Sequence, residues 1–261
     1  PVILKPAVGF CSMGVYAIDN SDDWNRALAD MEASESVWNE RYPESVVDAS
    51  DCIIESLIEG VEYAVDMYYD AEGKARVLNV LRHDFAGPED TGDRMYVTSR
   101  DIVSQVAPLI ERRLDDANDY IGARNFPAHV EVRVKDGAVA PIEFNPLRFA
   151  GLGGTDVAYL GWGLRTYAAY LQDEAVDFDS MTASAAGKVY SMSLFNPAPS
   201  ADLRRPFDYE AFEARFSNVL AFHHFDVNAT GSYGFLFLET DASSAAELDF
   251  LLHSDLTEFL R

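Results

Sequence analysis

Apolar and polar residues alternate along this chain at two spacings, and those spacings lay out its elements. Residues 2–4 form a short apolar run ending at Lys5, the pattern of a buried strand, and residues 15–18 suit its return partner. Ser21 precedes Asp22, Asp23 and Trp24, an N-cap with acidic first-turn residues, so a helix is predicted to about residue 34. Strands are predicted at 51–58 and 62–69 around Glu59-Gly60, and at 74–81 after a turn at 70–73. Thr98 or Ser99 caps a helix to about residue 118. Strands at 130–134 and 139–144 flank Asp136-Gly137, a strong hairpin signal, and Thr155 and Asp156 open a helix through residue 171. Beyond residue 185 the pattern changes to strand 188–195, helix 209–216, strands 219–225 and 233–239, and helix 245–260. Mixed elements with many hairpins predict an α+β fold, with a main region over 1–185 and a small β-α-β-β-α unit over 186–261.

Composition narrows the class. The chain has 261 residues, 48% apolar and 12% aromatic, which excludes a disordered protein. No apolar run approaches the roughly 20 residues of a bilayer span. Residues 1–10 lack the features of a signal peptide, and Cys11 and Cys52 make no disulfide framework, so a reducing cytoplasm is the default. A net charge of −24 repels phosphate backbones and anionic headgroups, arguing against nucleic-acid and membrane-surface roles. The acid is spread along the chain and lysine is scarce. A salt-adapted proteome and a GC-rich genome both account for that bias.

The densest chemistry lies between His129 and Arg148. Strand alternation puts His129, Glu131, Arg133 and Lys135 on one face, and Glu143 and Asn145 on one face of the partner strand. Glu131, Glu143 and Asn145 would offer hard oxygen ligands, which suit Mg²⁺ held together with substrate phosphates. The alternative is a solvated face whose carboxylates pair with Arg133 and Lys135. Convergence of Glu131 and Glu143 requires an odd loop, three residues with Gly137 left-handed, because a two-residue turn puts them on opposite faces. Ile142 and Phe144 would then pack into the core. Asn145 and Pro146 end the ladder, and Arg148 and Gly151, Gly153 and Gly154 follow, as at a site.

These residues resemble the ATP-grasp family, whose metal hairpin ends in Glu-x-Asn-Pro with an acid on the preceding strand. The resemblance implies that Glu131, Glu143 and Asn145 are magnesium ligands, with manganese as a substitute. His129-Val130-Glu131 is similar to the His-x-Glu of its carboxylate-amine ligase branch. Leu147 stands between Pro146 and Arg148, where the family often has Arg directly, and Arg148 is the expected anion-binding residue. Residues 3–6, Ile-Leu-Lys-Pro, resemble its phosphate-binding strand. They assign Lys5 to phosphate, and Ser12 and Gly14 to the phosphate-covering loop. Residues 53–62 resemble its hinge, with Glu55, Leu57 and Ile58 lining an adenine slot and Glu62 on the ribose. The matched motifs cover roughly residues 1–155.

The resemblance implies two α+β subdomains clasping ATP, and an ATP- and Mg²⁺-dependent ligase that activates a carboxylate as an acyl phosphate and joins it to an amine. An ATP-grasp enzyme with another acceptor, a thiol or bicarbonate, and a non-catalytic nucleotide-binding module are the alternatives. The expected partners are small-molecule carboxylate and amine substrates, a further copy of the chain, and an upstream N-terminal domain, since family members usually carry one before the phosphate lysine. Arg82, His83 and Arg94 are candidates for a substrate carboxylate, with surface ion pairing the favoured reading for His83.

Overall fold

The strongest helix signal in the chain organises its largest core. The computed structural model describes residues 1–9, 12–41, 43, 48–87, 90, 92–151, 153–198 and 200–261, with only the backbone described at 35–37, 39–41 and 49. In chain order the elements are β1 Val2–Val8, β2 Tyr16–Ile18, α1 Ser21–Arg41, β3 Asp48–Ser56, β4 Val61–Tyr69, β5 Ala75–Asp84, β6 Met95–Ser99, α2 Arg100–Ile121, β7 Phe126–Lys135 and β8 Ala138–Pro146. There follow α3 Gly154–Trp162, α4 Thr166–Gln172, α5 Phe178–Met181, β9 Lys188–Phe195, α6 Tyr209–Glu213, β10 Val219–His224, α7 Val227–Thr230, β11 Gly234–Asp241 and α8 Ala246–His253. Two compact units result: Pro1–Glu59 with Phe85–Asp93, and Gly60–Asp84 with Arg94–Arg261.

In the first unit the described strands form an antiparallel sheet in the order β2-β1-β3. Leu4 and Ile18 pack with Ala27 and Met31 of α1 into a small core. The cap of α1 is Asn20 rather than Ser21. The Asn20 side-chain oxygen accepts from the backbone N–H of Asp22 at 2.8 Å and of Asp23 at 3.1 Å, while Asp23 accepts from Asp19 N–H. Asn is an equally good cap, and only one of the adjacent pair can hold that position. The helix then runs to Arg41, past the expected end.

In the second unit the described strands form one sheet in the order β10-β11-β9-β6-β5-β4-β7-β8. Helix α2 covers one face. Its Ser99 cap accepts from Ile102 N–H at 3.2 Å, and Gly122, left-handed at φ 70°, ends it. Val103, Val106, Ala107, Ile110 and Leu114, spaced as one helical face, pack on Val65, Met67, Val130 and Val132. Each fully buried aliphatic side chain there contributes about 1.5–3 kcal/mol. The change of pattern at residue 185 is not a break in this sheet: β9 pairs with β6 and carries β11 and β10 on its other side. Strand β6 itself was not anticipated, because five residues before a helix cap carry little periodicity. The helix predicted over 155–171 is two helices, since Gly163 takes a left-handed φ of 78°. The terminal helix stops at His253, and Leu256 (φ 62°) turns the chain into a 3-10 turn.

Candidate functional site

The hairpin of β7 and β8 departs from expectation in its loop. Asp136 (φ 51°) and Gly137 (φ 79°) form a two-residue turn that pairs Lys135 with Ala138. Continued without interruption, that register would send Glu131 and Glu143 to opposite faces. A β-bulge prevents this. Pairing steps from Val132↔Pro141 to Glu131↔Glu143, leaving Ile142 as the extra residue. The two carboxylates therefore lie directly opposite each other on one face, with Asn145 opposite His129. Pro141 and the bulge are tolerated because β8 is an edge strand. Phe144 does not pack into the core as expected; it is 38% exposed, as an edge strand allows.

This face continues inward as a polar row across four strands. Asn145 pairs with His129, His129 with Asp66, and Asp66 with Asn79. Asp66 is 1% exposed. Its Oδ1 lies 2.9 Å from His129 Nδ1 and accepts the Ala150 N–H at 2.6 Å, and its Oδ2 accepts from Asn79 Nδ2 at 3.3 Å. Asn79 Nδ2 also donates to Gly154 O at 3.1 Å. The glycine-containing turn after Arg148 is thus held at both ends, and Gly153 sits where a Cβ would come within 2.7 Å of the Phe237 ring. Asp66 and Asn79 were missed in the sequence, where a lone acid inside the apolar run of 63–69 was the available signal.

Two features of this face are compatible with a bound cation. Like charges directly opposite on neighbouring strands repel, and Glu131 and Glu143 are so placed. Asn145 buries its amide nitrogen without a hydrogen-bond partner, and a half-turn of the carboxamide would exchange it for the oxygen. Glu143 and Arg148 are exposed, and among the described residues neither makes an ion pair. Arg148 donates to Phe149 O at 3.3 Å. Leu147 at φ 60° turns the chain out of the ladder, its N–H donating to Pro127 O at 2.8 Å. The donor set is all oxygen and suits Mg²⁺. Among the described residues no group of three or more His, Cys, Asp or Glu side chains closes on one point, so the protein would supply part of the coordination and phosphates the rest.

Next to this row, Glu62 accepts from Arg133 Nε at 3.1 Å and Nη2 at 2.9 Å, and its other oxygen lies 3.0 Å from His83 Nδ1. Arg133 therefore serves Glu62. His83 is buried, not a surface ion pair, and stacks on Tyr96 with centroids 4.4 Å apart. Burial alone pushes the Glu62 carboxyl up, but the hydrogen bonds and charges of His83 and Arg133 outweigh it and hold it below the usual range. Arg82 pairs with Asp84 at 2.6 Å, and Arg94 donates to Ser254 O.

In the first unit, Lys5 stands on the central strand with its Nζ 2.7 Å from Glu55 Oε2. Two residues expected in different roles are thus joined by a salt bridge. Ser12 (φ 53°) and Gly14 (φ 72°) form a turn closed by Val15 N–H on Ser12 O at 3.2 Å. Phe10 and Cys11 of that loop lie outside the described residues. Leu57 and Ile58 are half-buried in the non-strand segment after β3.

An antiparallel sheet carrying opposed carboxylates beside a Glu-x-Asn-Pro strand end defines a class, and comparison agrees. The ATP-grasp domain pattern matches residues 1–156, and the chain belongs to the ATP-grasp family. No curated protein matches it. Among solved structures it is similar to the L-amino acid ligase of Bacillus licheniformis, at 18% identity and TM-score 0.65, over 100% of this chain and 64% of that one. It is also similar to N5-carboxyaminoimidazole ribonucleotide synthetase of Thermus thermophilus (12%, TM-score 0.54, 100% and 62%) and to biotin carboxylase of Campylobacter jejuni (12%, TM-score 0.58, 92% and 54%). The chain spans less than two thirds of the length of each of these structures.

Proposed function

We propose that this chain is the nucleotide- and metal-handling part of an ATP- and Mg²⁺-dependent carboxylate–amine ligase. One observation carries the reading: a bulge at Ile142 restores a shared face to Glu131 and Glu143 beside the unpartnered amide of Asn145. Membership of the family and similarity to an amino acid ligase support it. In this reading Glu131, Glu143 and Asn145 hold Mg²⁺, which supplies charge neutralisation at the phosphates. Lys5 exchanges Glu55 for a phosphate oxygen. Ser12 and Gly14 cover the phosphates, and Glu55, Leu57 and Ile58 border the adenine. Glu62 keeps lone pairs for the ribose hydroxyls, since a carboxylate accepts about four hydrogen bonds.

The reaction then runs in two displacements. A substrate carboxylate oxygen bonds to the γ-phosphorus as the bond to the β–γ bridging oxygen breaks, releasing ADP. The amine nitrogen bonds to the acyl carbon of the acyl phosphate, the C–O bond breaks, and phosphate and a proton leave. Catalysis of the first step is positioning and charge stabilisation, with Arg148 on the developing charge.

The test is phosphate release from ATP and Mg²⁺ over a panel of amino acids, with bicarbonate and a thiol as rival acceptors. Release that depends on both an amino acid and an amine supports the ligase. Release with bicarbonate in place of the amino acid, or with an amino acid and a thiol in place of the amine, replaces the acceptor, and none with any combination overturns the reading.

A further inference from the structure

Asp66 is a buried carboxylate that the reaction above leaves without a task. It lies on β4, one strand inward from β7 and two from β8, and it is bonded on three sides. One partner, His129, has its Nδ1 on Asp66 and its Nε2 3.9 Å from Glu131 Oε1. A second, the Ala150 N–H, begins the turn that follows Arg148. The third, Asn79, reaches the far end of the same turn at Gly154.

Contact with solvent does not explain this arrangement, since Asp66, Asn79 and His129 are all buried. An acid so enclosed is stable only with its hydrogen bonds made, which requires Asn79, His129 and the Ala150 N–H to be in place. An acceptor on Nδ1 places that proton and fixes the plane of the imidazole, which sets Nε2 3.9 Å from Glu131 Oε1, beyond hydrogen-bond reach but in packing range. Partners of this kind behind metal-binding side chains set orientation, and their loss costs about 10- to 100-fold in metal affinity.

We propose that Asp66 is a positioning residue of the metal site: it fixes the His129 imidazole that packs beside Glu131, and through the Ala150 N–H it holds the backbone that follows Arg148. This rests on the reading of Glu131, Glu143 and Asn145 as metal ligands. The experiment separates the two. Mn²⁺ is titrated in the presence of ADP, whose phosphates complete the coordination, into the wild type, Asp66→Asn, His129→Gln and Glu143→Ala, and protein-bound Mn²⁺ is followed by electron paramagnetic resonance. Ile110→Val, a core change under α2, serves as a control that lowers the melting temperature without touching this row.

The expected result is Mn²⁺ binding in the wild type and the Ile110→Val control. Binding should be lost in Glu143→Ala and weakened about 10- to 100-fold in Asp66→Asn and His129→Gln. Faster amide exchange at Ala150 in Asp66→Asn alone is the second expected sign. If Asp66→Asn fails to fold, His129→Gln decides, because it cuts the link to Glu131 and leaves the Ala150 bond. Wild-type Mn²⁺ affinity in His129→Gln and in any folded Asp66→Asn, with Glu143→Ala impaired, overturns the positioning role alone. Equal binding, or none, in wild type and Glu143→Ala overturns the metal reading, and this proposal with it.

Discussion

At the scale of single residues, the site mixes groups already engaged with groups held open. Glu143 is exposed, and among the described residues it makes no ion pair. Glu143→Ala should therefore leave the fold intact while abolishing Mg²⁺-dependent ATP binding. Calorimetry of Mg-ATP binding beside circular dichroism checks this, and unchanged affinity would remove Glu143 from the metal set. Glu62 is the opposite case. Its carboxyl is held below the ordinary range, so its contribution to stability is complete above the unfolded glutamate pKa of about 4.3. That contribution is lost as the pH falls through its lower folded value. Glu62→Gln should destabilise the protein at about pH 6, and the gap to wild type in urea denaturation should close as acid protonates Glu62. A gap independent of pH would mean that packing, not charge, is what the substitution removes.

At the scale of elements, the hairpin depends on backbone conformations that few residues adopt. Gly137 has φ 79° and nothing within 4 Å of where a Cβ would stand. Gly137→Ala thus isolates the conformational penalty, and it should cost about 1–2 kcal/mol in a denaturant titration. Gly60 is a contrasting position, because a Cβ there would meet the Val134 carbonyl oxygen at 2.7 Å as well as a φ of 128°. Gly60→Ala should therefore cost more than Gly137→Ala in the same titration, and equal losses would contradict the steric account. At the start of α2, Ser99→Ala removes the acceptor for Ile102 N–H and should cost about 1 kcal/mol. Thermal unfolding checks that value.

At the scale of the whole molecule, the dominant physical fact is a net charge of −24. Self-repulsion of that size opposes compaction, and added salt relieves it as the Debye length falls from about 30 Å at 0.01 M to about 3 Å at 1 M. The melting temperature should climb with sodium chloride through this range. A flat response above about 0.15 M would assign the acidity to genome composition rather than to salt adaptation. Among the described residues no helix is long and apolar enough to cross a membrane.

Local chemistry made much of this protein legible in advance. The place of the hairpin at Asp136-Gly137, though not its two-residue length, the Ser99 cap and the apolar stripe of α2 are short-range features, and a residue and its near neighbours are enough to specify them. The Glu-x-Asn-Pro strand end belongs with them, which is why the metal candidates and the family could be named from the chain alone. Other features were decided only in three dimensions. The bulge at Ile142 answers a register set by the turn at one end and by pairing on β7 at the other. The partnership of Asp66 with His129, 63 positions apart, exists because β4 and β7 are neighbours in the sheet. The insertion of β6 between β5 and β9 has the same origin. Each depends on which strands lie side by side, and hydrogen-bond pairing between distant segments leaves no period in the sequence to read.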